Sequence, residues 1–355
     1  MDDKSNSLAQ LTCPAPHPVK DTIVLGHGSG GRLSAELMRS VFLPAFGNPV
    51  LDRLDDQAVI TVKDARLAFT TDSFVVKPLF FPGGDIGSLA VHGTVNDLAM
   101  GGATPLFLSV AFIIEEGLSI EILRRVVDSL RAAAEKAGVQ VVTGDTKVVE
   151  KGNGDQLFIN STGIGSVPDG LELSANRARP GDRVLLSGSI GEHGIAILAQ
   201  REGLEFECPV ESDSAALHEL VAAMLRVNRG NAIRVLRDPT RGGVSSTLNE
   251  IAEQSHVGIQ LEEKAIPIRE EVRGACEMLG LDPLYVANEG KLIAIVAPEC
   301  TDAVLTAMRS DPLGQKAQII GTVVESLSPI VTIRTDLGTS RRVDMLAGDQ
   351  LPRIC

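Results

Sequence analysis

The chain has 355 residues, with 33 Lys plus Arg against 46 Asp plus Glu and a formal net charge of -13. Such a surface repels phosphodiester backbones and speaks against nucleic-acid binding, although a local nest of N–H groups with a metal ion can still hold ATP. At 44% hydrophobic residues disorder of the whole chain is excluded, and 3% aromatics with no Trp argue against base-stacking platforms.

Five scattered cysteines, Cys13, Cys208, Cys276, Cys300 and Cys355, contain no C-x-x-C pair. They fit neither a disulfide framework nor a zinc site, and they point to a reducing cytoplasm. The N-terminus lacks a signal-peptide layout and no apolar run reaches membrane-spanning length, so no membrane association is expected.

Residues 1–20 are polar and proline-punctuated, which predicts a loose leader. Ile23–Leu25 predicts a short strand entering the Gly-rich segment GHGSGGRL, with a helix from Ser34. Strands are expected at 58–62 and 66–74, a helix over 86–100 and a strand through 106–114. The clearest helix is 119–137, where Ile120, Leu123, Val127, Leu130 and Ala134 form an apolar stripe opposite Arg124, Arg125, Asp128 and Arg131. Gly138 ends it and VQVVTGDTKVV starts the next strand. Turn residues across 168–182 mark a boundary. Beyond it come the strand RVLLSG, the helix GEHGIAILAQREG, helices at 215–227 and after DPTRGG, strands at 291–297 and 318–324, and a helix at 302–309. This is an α/β (α+β) pattern in two domains, 21–172 and 173–342, followed by a mobile tail at 343–355.

Gly26, Gly28 and Gly31 satisfy G-x-G-x-x-G, yet the expected strand is short and no second strand ends in an acid at the dinucleotide spacing. The loop, which also contains Gly30, still offers N–H groups to a phosphate; the alternative is a plain entry loop. Asp55, Asp56, Asp72, Asp97 and Asp145 sit at strand ends or in Gly/Thr-rich turns. Mg²⁺ needs only a few carboxylates and shares its shell with water and phosphate, so acids from separate turns suit Mg–nucleotide, although each alone reads as a cap or turn residue. In DPTRGGV, Asp238 opens a helix entry and Arg241 is placed to clasp an anion. His27 and His92 are weaker candidates, and no Walker A, G-x-S-x-G, H-E-x-x-H or kinase loop occurs.

The chain ends in Pro352-Arg353-Ile354-Cys355. Its plain reading is a frayed end, but a twelve-residue arm spans about 40 Å at ~3.3 Å per residue, and a thiol at its tip suits a covalent group carrier.

DDQAVI (55–60), TTDS (70–73), VNDLAMGGATP (95–105), GDT (144–146) and DPTRGG (238–243) together resemble the AIR synthetase superfamily of ATP-dependent enzymes. GHGSGGR (26–32), TGDTKVV (143–149), ANEGK (287–291) and PRIC resemble its hydrogenase-maturation members in particular. The resemblance covers essentially the whole chain beyond the leader; Cys13 and the leader's length match nothing in it. It implies ATP-dependent dehydration of an S-carbamoyl group on the C-terminal cysteine to a thiocyanate, which supplies the cyanide ligand of NiFe hydrogenase. By the same resemblance Cys355 carries the substrate, while Lys147 and Glu289 flank the carboxamide, with the base left unassigned between them. Asp72, Asp97 and Asp145 hold Mg²⁺; Asp55, Asp56, Asn96, Asp238 and Arg241 hold ATP, with the Gly26–Gly31 loop over the phosphates. Lys147 contacting phosphate and Glu289 fixing the Gly290 turn is the plainer alternative. The implied partners are a HypF-like carbamoyl-transferase, an iron-carrying complex of HypC–HypD type and a second copy in a homodimer. The rivals are a selenophosphate or thiamine-phosphate type of enzyme, a non-catalytic maturation scaffold and a dinucleotide oxidoreductase. GHGSGGR lacks the cysteine that selenophosphate chemistry expects, and none of the enzyme rivals explains PRIC.

Overall fold

The computed structural model describes residues 22–203, 209–348 and 353–355. The leader, with Cys13, and residues 204–208, with Cys208, lie outside the described residues, as does the stretch 349–352 of the expected tail.

In the first half, strands β1 (Ala58–Val62), β2 (Ala65–Phe74), β3 (Phe80–Phe81), β4 (Gly84–Asp85), β5 (Thr104–Glu115), β6 (Gln140–Val149) and β7 (Leu157–Ser166) accompany helices α1 (Arg32–Leu37), α2 (Leu43–Phe46), α3 (Ile86–Met100) and α4 (Ile120–Ala137). Five of the strands form one sheet in the order β1-β2-β7-β5-β6, antiparallel except for the parallel pair β5 and β6. Helix α3 is apolar nearly all round and buried, because it lies between this sheet and α4. Asp85 caps it, accepting from the N–H groups of Gly87 and Ser88. Gly87 is required there: a Cβ would run into the Val126 carbonyl of α4.

The second half contributes β8 (Arg183–Leu186), β9 (Ile233–Arg237), β10 (Gly258–Glu262), β11 (Ile293–Val296), β12 (Gln318–Val324), β13 (Ile330–Arg334) and β14 (Ser340–Arg342). Its helices are α5 (Glu192–Glu202), α6 (His218–Arg226), α7 (Gly243–Ser255), α8 (Glu270–Leu279) and α9 (Thr301–Arg309). The strands form a seven-stranded sheet ordered β14-β13-β10-β12-β8-β11-β9. Mixed pairing and helices packed on sheets make the architecture α+β, as the alternation predicted. The chain crosses between halves over 168–174; Ser174 N already donates to Arg234 O of the second sheet, at 3.2 Å. The halves share apolar packing, with Ala99 and Met100 of α3 in the same buried cluster as Leu220, Val221 and Leu236.

Two local expectations fail. Ile23–Leu25 forms no strand; a 3₁₀ turn runs from Leu25 to Gly28 instead, stabilised by the His27 N–H to Val24 O bond of 2.9 Å. The α4 stripe holds at Leu130 and Ala134, which are buried, but is offset towards the start of the helix. Val126 is fully buried while Ile120 and Val127 are 63% and 43% exposed, because Val126, Leu130, Ala133 and Ala137 form the ridge that meets α3 and the sheet.

Candidate active site

The C-terminal residues turn inward. Val75 N donates to Cys355 O at 2.9 Å and Lys77 N to Arg353 O at 3.1 Å, so the last residues run as a short antiparallel bridge along the end of β2. Ile354 is 5% exposed and joins the core beside Phe74 and Val76. Arg201 donates to Arg353 O at 2.8 Å, and Arg353 pairs with Asp155 at 2.5 Å. The expected free arm is therefore docked in this structure, and the segment before it is also anchored. Val343 is fully buried, and Leu346 O accepts from Arg32 N at 2.9 Å.

The docked Cys355 lies among charged groups. Burial pushes its thiol well above the ordinary range, the Arg241 guanidinium draws it back, and the Glu289 and Asp72 carboxylates push it up again. Arg241 is correspondingly held above its usual value, first by Cys355 and then by Asp72, Glu289 and Asp97. Its Nη1 donates to Gly28 O at 2.9 Å, and Gly30 (φ +72°) leaves no room for a Cβ, which would sit 2.7 Å from Arg241 O. The Gly26–Gly31 loop is thus brought onto Arg241, with Ser29 Oγ donating to Gly26 O at 2.8 Å. His27 spends its ring on Val24.

Four aspartates converge on the same interior. Burial pushes Asp56 and Asp97 well above the ordinary carboxylate range and raises Asp72; Asp238 is pushed up to about 6, also by burial. They repel one another as well: Asp97 is raised further by Asp238, Asp72 and Asp56. Glu289, 3% exposed, is pushed well up by burial, then by Asp238 and Asp72. Arg237, paired with Asp56 at 2.8 Å, and Arg241 are the guanidinium groups that oppose this charge. Thr70 Oγ1 donates to Asp97 Oδ2 at 2.8 Å. Asp56 Oδ2 and Glu289 Oε1 are buried without a hydrogen-bond partner.

Among the described residues, no three His, Cys, Asp or Glu side chains gather closely enough to hold a metal by themselves. The donor set nevertheless suits a hard cation whose shell is completed by water and phosphate. Its oxygens are carboxylate, one of them is orphaned, and the buried negative charge exceeds the positive.

Several residues expected at the site are elsewhere. Asp145 and Lys147 pair with each other at 3.1 Å on β6, with side chains 62% and 71% exposed. Asp72 is on β2, and β7 and β5 stand between the two strands, so three spacings of ~4.8 Å separate them by about 14 Å. The faces differ too. Asp72 lies opposite Ser161, which faces the helices, whereas Asp145 lies opposite Ala111, whose neighbour Val110 is the one turned to the helices. Within one protomer Asp145 cannot share a metal with Asp72 and Asp97, nor does Lys147 reach Cys355. Asp55 is spent on the domain seam, accepting from Ser174 Oγ (2.9 Å) and Ala175 N (3.0 Å) and pairing with Arg53 (3.0 Å). Asn96 spends its amide on the chain, donating to Ala215 O (3.0 Å) and Glu289 O (3.3 Å) and accepting from Leu217 N (2.7 Å). It therefore supports the Glu289 backbone.

Asp213 was not anticipated. It accepts from Glu289 N (3.1 Å), Gly290 N (3.2 Å) and Lys291 Nζ (2.9 Å). Burial pushes it up, but Lys291 and His193 outweigh that and keep it ionised below the usual carboxylate range. A Cβ on Gly290 would collide with Asp213 O, which explains the glycine after Glu289. Asp213 sits two residues before the helix expected at 215–227, with nothing to mark it; only the ANEGK motif that it clamps was visible in advance. His92 contacts Ser214 Oγ at 2.9 Å, and burial lowers its pKa to about 4.

The AIR synthase related protein family matches both halves, its N-terminal domain over 54–167 and its C-terminal domain over 179–334. Over 334 residues the chain is 59% identical to the carbamoyl dehydratase HypE of Azotobacter vinelandii, which covers 94% of this chain and 97% of that protein. The chain belongs to the HypE family of carbamoyl dehydratases. Solved HypE structures have the same fold. The HypE of a HypE–HypF complex is 50% identical with a TM-score of 0.83, covering 87% of this chain and 99% of that one. A HypE in complex with ATP is 52% identical with a TM-score of 0.79, covering 94% and 100%. HypE membership makes the chain an ATP-dependent enzyme of hydrogenase maturation and sets aside the other superfamily activities and the dinucleotide oxidoreductase.

Proposed function

We propose that this HypE-family chain carries its substrate on its own Cys355, dehydrating an S-carbamoyl group there to a thiocyanate at the expense of ATP. The inward course of the tail supports the reading, because it delivers Cys355 to Arg241, Glu289 and Asp72. The carbamoyl oxygen leaves with phosphate, and two N–H protons depart as the C≡N bond forms. ATP supplies the leaving group, since an amide oxygen departs poorly until it is phosphorylated.

The chain's own residues orient the group and handle its protons. Glu289, raised by burial, is suited to take a carboxamide proton when ionised and pass it on. Arg241 opposes the negative charge that gathers on the reacting oxygen. Asp213 and Asn96 hold the Glu289 backbone, so the carboxyl has a fixed origin. Asp72 and Asp97, backed by Asp56 and Asp238, would hold Mg²⁺, which neutralises phosphate charge. The Gly26–Gly31 loop, pinned to Arg241, would close over the phosphates.

Lys147 and Asp145 then serve a second copy's site in a homodimer. They stand on the sheet face turned away from the helices, at an edge strand, beside exposed Phe69, Phe107, Ile113 and Ile164. An open apolar sheet face of this kind is a dimerisation surface. A HypF-type carbamoyl donor accords with the HypE–HypF relative, and a HypC–HypD-type complex would take the cyanide. No described helix is long and apolar enough to cross a membrane, and three described cysteines are free, which suits the cytoplasm.

Replacing Cys355 with Ala tests the reading. Thiocyanate formation is expected to vanish while Mg–ATP affinity, measured by calorimetry, stays at the wild-type value. Loss of both would make the tail part of the nucleotide site and not the substrate carrier.

A further inference from the structure

The docked tail is held by two backbone hydrogen bonds, which many sequences could supply, and at its exposed edge by Arg201 on Arg353 O and by the Arg353–Asp155 pair. One side-chain contact is different. His193, fully buried near the start of α5, approaches the Ile354 carbonyl with Nε2 at 2.6 Å, while its Nδ1 lies 2.7 Å from Ser212 Oγ. Phe81 packs edge-on against the ring at 5.6 Å, which fixes its plane. Burial lowers the pKa of His193, while Asp213 and the Ile354 carbonyl raise it in part; the net direction is down, towards the neutral ring. A carbonyl only accepts, so Nε2 of the neutral ring carries the proton and Nδ1 accepts from the Ser212 hydroxyl. Ser212 is in turn held by its backbone N–H on Pro82 O at 2.8 Å, next to Asp213, which clamps Glu289.

We propose that His193 is a positioning residue: its Nε2–H bond to the Ile354 carbonyl latches the tail inward and sets how often Cys355 leaves the pocket. The inference deepens the reading of Cys355 as the substrate carrier. A carrier thiol must be loaded from outside and processed inside, so the strength of its latch partitions the two. His193 touches no reacting atom and acts through the backbone one residue away.

Two near-isosteric replacements separate the two ring nitrogens. His193→Gln puts an amide N–H where Nε2 stood and keeps the donor to Ile354. His193→Asn keeps the reach of Nδ1 towards Ser212 and leaves the Ile354 carbonyl unpaired. The measurement is the rate at which iodoacetamide alkylates Cys355 in the full-length, unloaded protein, followed by the mass of the C-terminal peptide. Alkylation of buried Cys276 and Cys300 in the same samples reports global opening. Cys355 is expected to react about tenfold faster in His193→Asn, equivalent to about 1.4 kcal/mol. It should stay within about twofold of wild type in His193→Gln, with Cys276 and Cys300 unchanged in both. Equal Cys355 rates in both variants, or acceleration of all three cysteines together, overturns the latch. If His193→Asn does not fold, Ser212→Ala is the second variant. It loosens the ring without removing it and should raise the Cys355 rate by about threefold, whereas an unchanged rate counts against the latch.

Single-turnover dehydration of carbamoylated Cys355 then separates the latch from the reading on which it rests. A selective rise in Cys355 alkylation with dehydration slowed in His193→Asn supports both. The same rise with dehydration unchanged supports the latch and contradicts inward chemistry at Cys355.

Discussion

Asp72 and Asp145 invite comparison. Both are acids on strands of one sheet, both follow a threonine or glycine within the strand, and both were expected to hold the same metal. In the fold, Asp72 is buried with Asp97, Asp238 and Glu289, and its pKa is raised. Asp145 lies about three strand spacings away on the other face, exposed, and its own Lys147 holds its pKa below the usual carboxylate range. A motif supplies residue chemistry, whereas strand order and side-chain alternation decide which cavity receives it. The buried cluster faces the protomer's own interior, whereas the β6 pair is exposed on the outer face of the sheet, where the proposal has it meet a second copy.

The sharpest way to break this comparison is at Glu289. Glu289→Gln keeps the shape and removes the proton acceptor, so ATP-dependent dehydration in a single turnover should slow by about 10³-fold while carbamoyl loading of Cys355 persists. A variant that still dehydrates at the wild-type rate moves the proton chemistry elsewhere.

Lys147 tests the outward half. Lys147→Ala and Cys355→Ala homodimers should each be inactive. Mixed and re-equilibrated in equal amounts, they should recover about a quarter of wild-type activity, because half the dimers are mixed and each has one intact site. No recovery, with mixed dimers verified by native mass, would show that Lys147 does not act across the interface.

The crowding of carboxylates has a consequence for stability. A carboxyl whose folded pKa lies above its unfolded value costs the folded state once ionised, so its stabilising contribution is lost as pH rises through about 6 for Asp238. Asp238→Asn should therefore stabilise the nucleotide-free protein by about 2 kcal/mol at pH 8 in denaturant titrations, and the gain should disappear near pH 4. Equal stability of the two proteins at both pH values would contradict the repulsion. Asp55, which faces the seam, gives the smallest effect. Asp55→Asn should cost about 1 kcal/mol of stability and leave Mg–ATP affinity near wild type, whereas Asp56→Asn should weaken it.

Much of the buried half was legible in advance. The strand expected at 58–62 is β1 and that at 318–324 is β12, because short apolar runs between turn residues have few other fates. The acids of DDQAVI, TTDS, VND and DPTRGG do converge, Asp56 from the turn before β1, Asp72 from β2, Asp97 from inside α3 and Asp238 from the residue after β9. What was illegible depends on long-range geometry. His193 meets Ile354 across 161 residues, and Asp213 clamps Glu289 across 76, with nothing local to mark either. Asn96 and Asp55 were expected to face nucleotide because their motifs contain them, yet tertiary packing turned both to backbone neighbours. The offset of the α4 stripe has the same origin. The register of Val126 is set by Gly87 on another helix and not by the apolar spacing within α4.

The central claim is that Cys355 carries the group that is dehydrated. The direct measurement is the mass of the C-terminal peptide after loading by a carbamoyl-donor partner, before and after addition of Mg–ATP. The account predicts a carbamoyl adduct on Cys355 that loses one water only when ATP is present. An adduct that stays intact while ATP is consumed would contradict it and assign the hydrolysis to a different acceptor.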